Sequence, residues 1–232
     1  VDELDQMNVL AFKIGSGELS DPAFMAHAAS KGRPMIVSTG MAEEEEIDTA
    51  VDIMRKASVP FVILHAVSLY PTPYEKLYLE TIAALRERYH VPIGLSDHTA
   101  EIYSSLAAMA LRPAVIEKHY TLDRNTVGTT DHKVSLHPSE FKELADAVGK
   151  LHQAMGTRIG ILEEEKGVIE WARHAVVTLR PIAKGETFDK SNLSTKRPLY
   201  DGIPAKEFQN ILGKRAARNV PADSLLHPED VR

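Results

Sequence analysis

The chain has 232 residues, enough for one large or two modest domains, and its 44% hydrophobic and 26% charged residues are ordinary for a globular protein. A net charge of −6 with scattered basic residues argues against a nucleic-acid partner. No apolar run approaches the roughly 18–20 residues of a membrane span, so we expect no membrane partner. The absence of cysteine excludes disulfides and thiolate chemistry.

Short apolar runs alternate with longer helical patterns over the first two thirds of the chain. The runs are nearly continuously apolar, as in parallel strands covered on both faces, and lie at 11–15, 35–39, 61–67, 92–96 and 114–119. Helical patterns lie at 22–29, 43–57, 77–89, 101–111 and 138–155, and 1–7 resembles the end of a helix. The alternation predicts an α/β fold with a parallel sheet, either open or closed into a barrel.

The pattern changes in the last third of the chain. Short elements separated by Gly and Pro predict a small, mostly β module at 171–232, with a strand at 175–179 and turns near 182–186 and 191–193. We therefore predict a first domain at 1–157, a linker at 158–170 and a second domain at 171–232.

Two histidines follow the ends of neighbouring predicted strands. His98 and His119 are 21 positions apart, close to the length of one β/α unit. Successive strand ends meet at one face of a β/α barrel, so both imidazoles can reach one divalent metal ion. Structural histidines are the alternative. Asp97 is expected to point away from His98 if the strand continues.

The other strand ends carry groups suited to an anionic substrate. Lys13 could hold an anion, Ser16 could donate to it, and Glu18 could orient hydroxyl groups; a surface turn is the alternative. Ser38 precedes a helix start that suits a phosphate, although an ordinary capped turn would look the same.

Four further residues lie in or beside predicted loops. Tyr70, in a proline-stiffened loop, could contact substrate, whereas His65 is expected to be a core histidine. Asp131, in the loop 128–133, could accept a proton or bind a sugar hydroxyl, or simply cap the loop. Arg197 suits an acyl oxygen or a carboxylate, with a surface cation as the alternative.

Several short motifs together resemble the sialic acid synthase (N-acetylneuraminate synthase) family. They are KIGSGE at 13–18, STGM at 38–41, YPTP at 70–73, SDHT at 96–99, EKH at 117–119 and DHK at 131–133. The tail, at 182–188, 192–193, 196–198, 202–203 and 212–214, resembles the antifreeze-like SAF domain of that family. This resemblance implies a TIM-type (β/α)8 barrel, of which this chain would lack the first three strands, followed by a SAF (β-clip) domain. A small five-stranded open sheet is the alternative.

The resemblance also implies a function. It is the metal-dependent condensation of phosphoenolpyruvate with an N-acetylated hexose, such as N-acetylmannosamine, into a nine-carbon 2-keto sugar acid with release of phosphate. The implied metal is Mn²⁺, with Mg²⁺ or Co²⁺ as alternatives, and the implied assembly is a cytoplasmic, domain-swapped homodimer.

The same resemblance implies roles for particular residues. His98 and His119 match metal ligands, and Lys13, Glu18 and Asp131 match catalytic positions. Contacts to phosphoenolpyruvate are implied for Lys13, Ser16, Ser38 and Ser96. Contacts to the sugar are implied for Glu18, Tyr70, Asp131 and Arg197.

Other functions remain open at this point. A legionaminic acid, pseudaminic acid or spore-coat polysaccharide synthase would share these motifs. A Schiff-base aldolase would use Lys13 or Lys118 as nucleophile and need no metal. A 3-deoxy-keto acid synthase would act on a phosphorylated sugar, and a non-catalytic carbohydrate-binding protein would show no turnover.

Overall fold

The computed structural model describes residues 1–126 and 130–232. These residues form two compact units, Val1–Gly156 and Thr157–Arg232. Gly128 and Thr129, the first residues of the predicted loop 128–133, lie outside the described residues. Within the described residues, no helix is both long and apolar enough to cross a membrane.

A parallel sheet of five strands forms the centre of the first unit. The strands are β1 (Phe12–Ile14), β2 (Met35–Ser38), β3 (Phe61–Ala66), β4 (Ile93–Asp97) and β5 (Ile116–Lys118). Each overlaps a predicted run, and they pair in sequential order from β1 to β5. Sequential order fits a segment of a β/α barrel, because an open doubly wound sheet reverses its strand order at a switch point.

Among the described residues of this unit, six helices accompany the sheet. They are α1 (Asp2–Gln6), α2 (Pro22–Ala29), α3 (Glu44–Lys56), α4 (Thr81–Tyr89), α5 (Tyr103–Ala108) and α6 (Pro138–Ala154). Asp21 caps α2 by accepting from the backbone N–H groups of Ala23 and Phe24, as its position before Pro22 predicts.

Two predicted helices are shorter than expected. The pattern at 77–89 becomes α4 only from Thr81, because Tyr78 has φ +45°, which no α-helical residue adopts. The pattern at 101–111 becomes α5 followed by a 3₁₀ turn, Met109–Leu111.

Side chains alternate between the two faces of the sheet, since the side-chain repeat of a strand is two residues. One face packs against the helices and, with them, forms the core. That core includes Phe12, Ile14, Met35, Val37, Ile63, Ile93 and Leu95 from the strands and Met25, Val51, Met54, Ile82 and Leu85 from the helices. Each such aliphatic or aromatic side chain contributes about 1.5–3 kcal/mol on burial. The opposite face carries polar residues at the strand ends.

The second unit has its own small core. It contains α7 (Lys166–Ala172), β6 (Ala175–Thr178), β7 (Leu193–Lys196) and α8 (Phe208–Ile211), with β6 and β7 antiparallel. The buried apolar residues that form this core include Val176, Ile182, Phe188, Leu193, Ile203, Ile211, Ala216, Val220 and Leu226.

Two elements in this part of the chain were not predicted. The predicted linker 158–170 contains a 3₁₀ turn, Glu163–Glu165, and most of α7, because Lys166 to Ala172 holds no helix-breaking proline. The turn predicted at 191–193 leads directly into β7. This strand was not predicted, because Ser194 and Thr195 are polar and β7 contains no apolar run.

Candidate active site

An open pocket of about 460 Å³ lies at the carboxyl ends of the five parallel strands. It contains eight of the ten predicted site residues: Lys13, Ser16, Glu18, Ser38, Tyr70, Ser96, His98 and His119. Pairing explains why they meet. Ala66 pairs with Ser96 and Ser96 with Glu117. Partners in parallel strands share a face, and the residue two positions later returns to it.

Lys13 brings a partly exposed positive charge to the pocket. Its ammonium donates to Ser38 Oγ at 2.8 Å and to the Ile14 carbonyl at 2.9 Å, and it lies 3.7 Å from Glu117 Oε2. The side chain is 37% exposed, so an anion in the pocket could reach it. β1 and β2 therefore bring a positive charge and a hydroxyl to one point.

Ser16 and Gly40 form the wall next to that charge. The Gly40 N–H donates to Ser16 Oγ at 3.0 Å, which leaves the Ser16 hydroxyl proton for another acceptor. A Cβ at Gly40 would lie 2.3 Å from Ser68 Oγ and 2.8 Å from Ser16 Oγ. A larger residue at this position would therefore force both serine hydroxyls to move.

Glu117 is a pocket residue that the sequence prediction did not assign a role. Its Oε1 accepts from the Ser96 hydroxyl at 2.7 Å, while its Oε2 faces Lys13. The sequence contains enough to predict this placement. Side chains alternate between the faces of a strand, so the residue two positions before His119 lies on the same face as that histidine.

His98 is held in one orientation. Its Nδ1 lies 2.8 Å from the Val67 carbonyl, which can only accept, so Nδ1 carries the proton. Burial lowers the pKa of His98, and the nearby His119 lowers it further, so the ring is neutral near pH 7. Its Nε2 lone pair then accepts from the Tyr70 hydroxyl at 3.2 Å.

Tyr70 and the two histidines form an aromatic cluster. The Tyr70 ring stacks on His98 with centroids 4.3 Å apart, and the His98 and His119 centroids are 5.2 Å apart. Burial raises the pKa of Tyr70, and the charges of Asp131 and Glu117 raise it further, so the phenol keeps its proton.

Two predicted residues do not line this pocket among the described residues. Asp131 lies in a 3₁₀ turn, Asp131–Lys133, near enough for its charge to affect Tyr70. Arg197 belongs to the second unit, where it is exposed directly after β7.

Comparison with known proteins assigns both units. Residues 1–160 match the NeuB family, and residues 173–232 match the SAF domain. The chain belongs to the NeuB family. This confirms the predicted resemblance and the predicted α/β architecture followed by a SAF domain.

Relatives of this NeuB-family chain include an N,N'-diacetyllegionaminic acid synthase from Campylobacter jejuni, 38% identical over 230 residues. The match covers 97% of this chain and 68% of that protein. The family relation therefore extends over nearly the whole chain, which spans about two thirds of the relative.

Two solved structures share the fold. The sialic acid synthetase of Leptospira borgpetersenii is 35% identical, with a TM-score of 0.67 over 73% of this chain and 59% of its own. A putative spore coat polysaccharide biosynthesis protein E from Chromobacterium violaceum is 27% identical, with a TM-score of 0.72 over 100% of this chain and 70% of its own. The NeuB-family chain thus corresponds to part of a longer enzyme fold.

The orientation of His98 suits a ligand of a divalent first-row metal ion. Because Nδ1 of His98 donates its proton to a carbonyl, the lone pair of Nε2 is available to coordinate a metal ion. This is the usual arrangement of metal-binding histidines. The described residues contain no group of three or more His, Cys, Asp or Glu side chains placed to hold an ion. Within these residues, His98 and His119 are the candidate ligands.

His65 and Lys118 of the NeuB-family chain lie on the helix-facing side of the sheet. His65 is 7% exposed and its Nε2 donates to the Leu77 carbonyl at 2.7 Å, in agreement with a core role. Burial lowers the pKa of Lys118, yet its ammonium donates to the Thr99 carbonyl at 2.5 Å. This bond disfavours Lys118 as a Schiff-base nucleophile.

Proposed function

We propose that this chain carries the substrate site of a nonulosonate synthase. The enzyme would condense phosphoenolpyruvate with an acetamido hexose in a metal-dependent reaction and release phosphate. One observation supports this most strongly: a single pocket combines a lysine ammonium, three serine hydroxyls and two imidazoles. An anionic substrate would bind at the lysine and serines, and the two imidazoles beside it would hold a divalent ion.

Phosphoenolpyruvate would bind at the Lys13 end of the pocket. The Lys13 ammonium supplies positive charge, and the hydroxyls of Ser16, Ser38 and Ser96 supply donors for phosphate and carboxylate oxygens. Since Gly40 already occupies one lone pair of Ser16, that hydroxyl is oriented before substrate arrives. Such fixed donors lower the entropy cost of holding two reactants together.

The acceptor sugar would bind at the histidine end. His98 and His119 would hold the divalent ion, with Mn²⁺ proposed and Mg²⁺ or Co²⁺ as alternatives. When bound there, a divalent ion supplies Lewis-acid polarisation of a carbonyl oxygen. Tyr70, Glu18 and Asp131 would contact sugar hydroxyls.

The proposed reaction is balanced as follows. Carbon 3 of phosphoenolpyruvate forms a bond with the aldehyde carbon of the sugar, and the aldehyde oxygen gains a proton. Water adds to carbon 2, losing a proton, and phosphate departs to leave the 2-keto acid. Glu18 would stabilise the positive charge that develops at carbon 2 or transfer a proton. Its carboxylate lies beside the pocket backbone, 2.6 Å from the position of a Cβ at Gly15.

The acceptor could also be the precursor of a legionaminic-type acid. The 38% identity to the Campylobacter N,N'-diacetyllegionaminic acid synthase favours this second candidate. A sialic acid synthase and a legionaminic acid synthase would share the phosphoenolpyruvate half of the reaction. They would differ only in the acceptor sugar.

Arg197 would act from a second subunit. We propose a homodimer in which Arg197 of one chain contacts the acyl group of a sugar bound by its partner. Mixing an Arg197→Ala chain with a His98→Asn chain tests this, since mixed dimers would regain activity that each parent dimer lacks. No recovery on mixing would contradict the exchange.

The proposed function is tested by phosphate release from phosphoenolpyruvate by the full-length protein, with Mn²⁺ or EDTA, across a panel of acetamido hexoses. We expect release with one sugar and loss of release with EDTA. His98→Asn and His119→Asn should abolish turnover, whereas His152→Asn, on the exposed end of α6, should not. A folded, metal-loaded protein that releases no phosphate with any sugar would refute the proposal.

A further inference from the structure

A buried polar cluster lies behind the two histidines, on the helix-facing side of β4 and β5. Asp97 is its centre. Oδ1 accepts from the Thr99 N–H and hydroxyl, both at 2.8 Å. Oδ2 accepts from Ser104 at 2.5 Å and Ser105 at 2.6 Å, and lies 3.2 Å from the Lys118 ammonium. The carboxylate is therefore fully bonded.

The cluster is closed to solvent. The side chains of Lys118 and Asp97 are 1% and 0% exposed. Lys118 also donates to the Thr99 carbonyl at 2.5 Å and to its hydroxyl at 3.1 Å. A buried ion pair contributes little net stability compared with apolar side chains of the same volume. Stability alone is therefore a weak reason for this cluster.

The location of the cluster suggests another reason. Asp97 and Thr99 flank His98 in the chain, and Lys118 directly precedes His119. Asp97 and Lys118 are also register partners in the β4–β5 ladder. The cluster thus ties together the two chain segments that carry the imidazoles, from the side opposite the pocket.

We propose that the Asp97–Lys118 pair, with Thr99, is a positioning device that fixes the spacing of His98 and His119 for one divalent ion. The inference rests on the proposed metal role of the two histidines. Asp97 and Lys118 would act as positioning residues, since their side chains are 0% and 1% exposed.

The test compares Asp97→Asn, Lys118→Met and the double variant in the full-length protein. The double variant removes both charges and leaves neither buried alone, so its folding stability should recover relative to the single variants. A matched control is Asp48→Asn with Arg88→Met, which removes an ion pair of 2.7 Å between α3 and α4. Mn²⁺ affinity, thermal midpoint, kcat and KM for phosphoenolpyruvate are measured for each.

We expect the double variant to bind Mn²⁺ at least about 10-fold more weakly, a typical cost of disturbing groups that orient metal ligands. Its kcat should fall while KM for phosphoenolpyruvate is unchanged, and the control should match wild type in all three. If the double variant recovers both stability and Mn²⁺ affinity, the pair is only structural and the inference is wrong.

A second readout works without metal. In ¹⁵N-histidine NMR of the metal-free protein, the double variant should shift or broaden the His98 and His119 signals and leave those of His174 and His227, in the second unit, unchanged. Wild-type protein that binds no Mn²⁺ would refute the metal role in the proposed function. In a protein that does bind Mn²⁺, unchanged imidazole signals in the double variant would overturn the positioning inference alone.

Discussion

The Ser96 hydroxyl on β4 donates to Glu117 Oε1 on β5 at 2.7 Å, and the two residues are partners in the strand register. The same carboxylate faces the Lys13 ammonium at 3.7 Å, while Ser96 Oγ lies 3.4 Å from His98 Nε2. Glu117 and Ser96 therefore connect the cationic end of the pocket to its imidazole end.

Glu117→Gln should separate substrate binding from turnover. The glutamine amide oxygen can still accept from Ser96. The substitution removes the negative charge that competes with phosphoenolpyruvate for the Lys13 ammonium. We expect kcat to fall by about 100-fold if Glu117 transfers a proton, while KM for phosphoenolpyruvate does not rise. Steady-state kinetics check this, with Glu87→Gln on the exposed side of α4 as the control. An unchanged kcat would remove Glu117 from the reaction.

Gly40→Ala should damage the anion-binding wall. The new methyl group would lie 2.3 Å from Ser68 Oγ and 2.8 Å from Ser16 Oγ. We expect a loss of about 1–3 kcal/mol in the free energy of unfolding, as for other overpacked sites, and a higher KM for phosphoenolpyruvate.

Gly149→Ala is the matched control for this change. Gly149 lies inside α6 with nothing within 4 Å of an added Cβ. Alanine there should stabilise the protein by roughly 0.5–1 kcal/mol. Chemical denaturation measures both variants, and equal stability changes would contradict the packing argument.

His65 should make the protein less stable in acid. Burial lowers the pKa of His65 in the folded chain, whereas the unfolded chain titrates near pH 6.5. Below that pH the unfolded chain binds a proton that the folded chain lacks, so this contribution to stability is complete above it and is lost as pH falls. His65→Gln keeps a donor for the Leu77 carbonyl. The stability difference between about pH 7.5 and pH 5.5 should be smaller in this variant; an equal difference would exclude His65 as a source.

Borohydride should not trap a substrate on this protein. Lys118 is buried and bonded to Thr99, and Lys13 is bonded to Ser38, so neither amine is arranged for a Schiff base. Mass spectrometry after reduction in the presence of pyruvate and sugar should find only unmodified chain. A covalent adduct on either lysine would revive the aldolase alternative.

Much of the fold followed from local patterns. Continuous apolar runs marked the five parallel strands, and Asp21 before Pro22 marked the start of α2. Those signals are local because they depend on burial of both sheet faces and on helix capping. The late start of α4 depends on the positive φ of Tyr78, a conformation to which tyrosine itself gives no clue.

The site was predictable only where chemistry and strand period agreed. His98 and His119 combine reactive side chains with a spacing close to one β/α unit. Glu117, two positions before His119, was given no predicted role. The Val67 carbonyl that sets the His98 tautomer lies 31 positions earlier in the chain, and no local pattern links the two. Such contacts depend on tertiary packing.

The side-chain alternation on β4 has a consequence for genetics. Leu95 and Asp97 face the helices, while Ser96 and His98 face the pocket. A saturation mutagenesis screen can score protein abundance and catalytic activity separately. Along β4, the score that substitutions lower should therefore alternate from one residue to the next. Substitutions at 95 and 97 should reduce the amount of folded protein. Substitutions at 96 and 98 should leave the amount normal but remove catalytic activity.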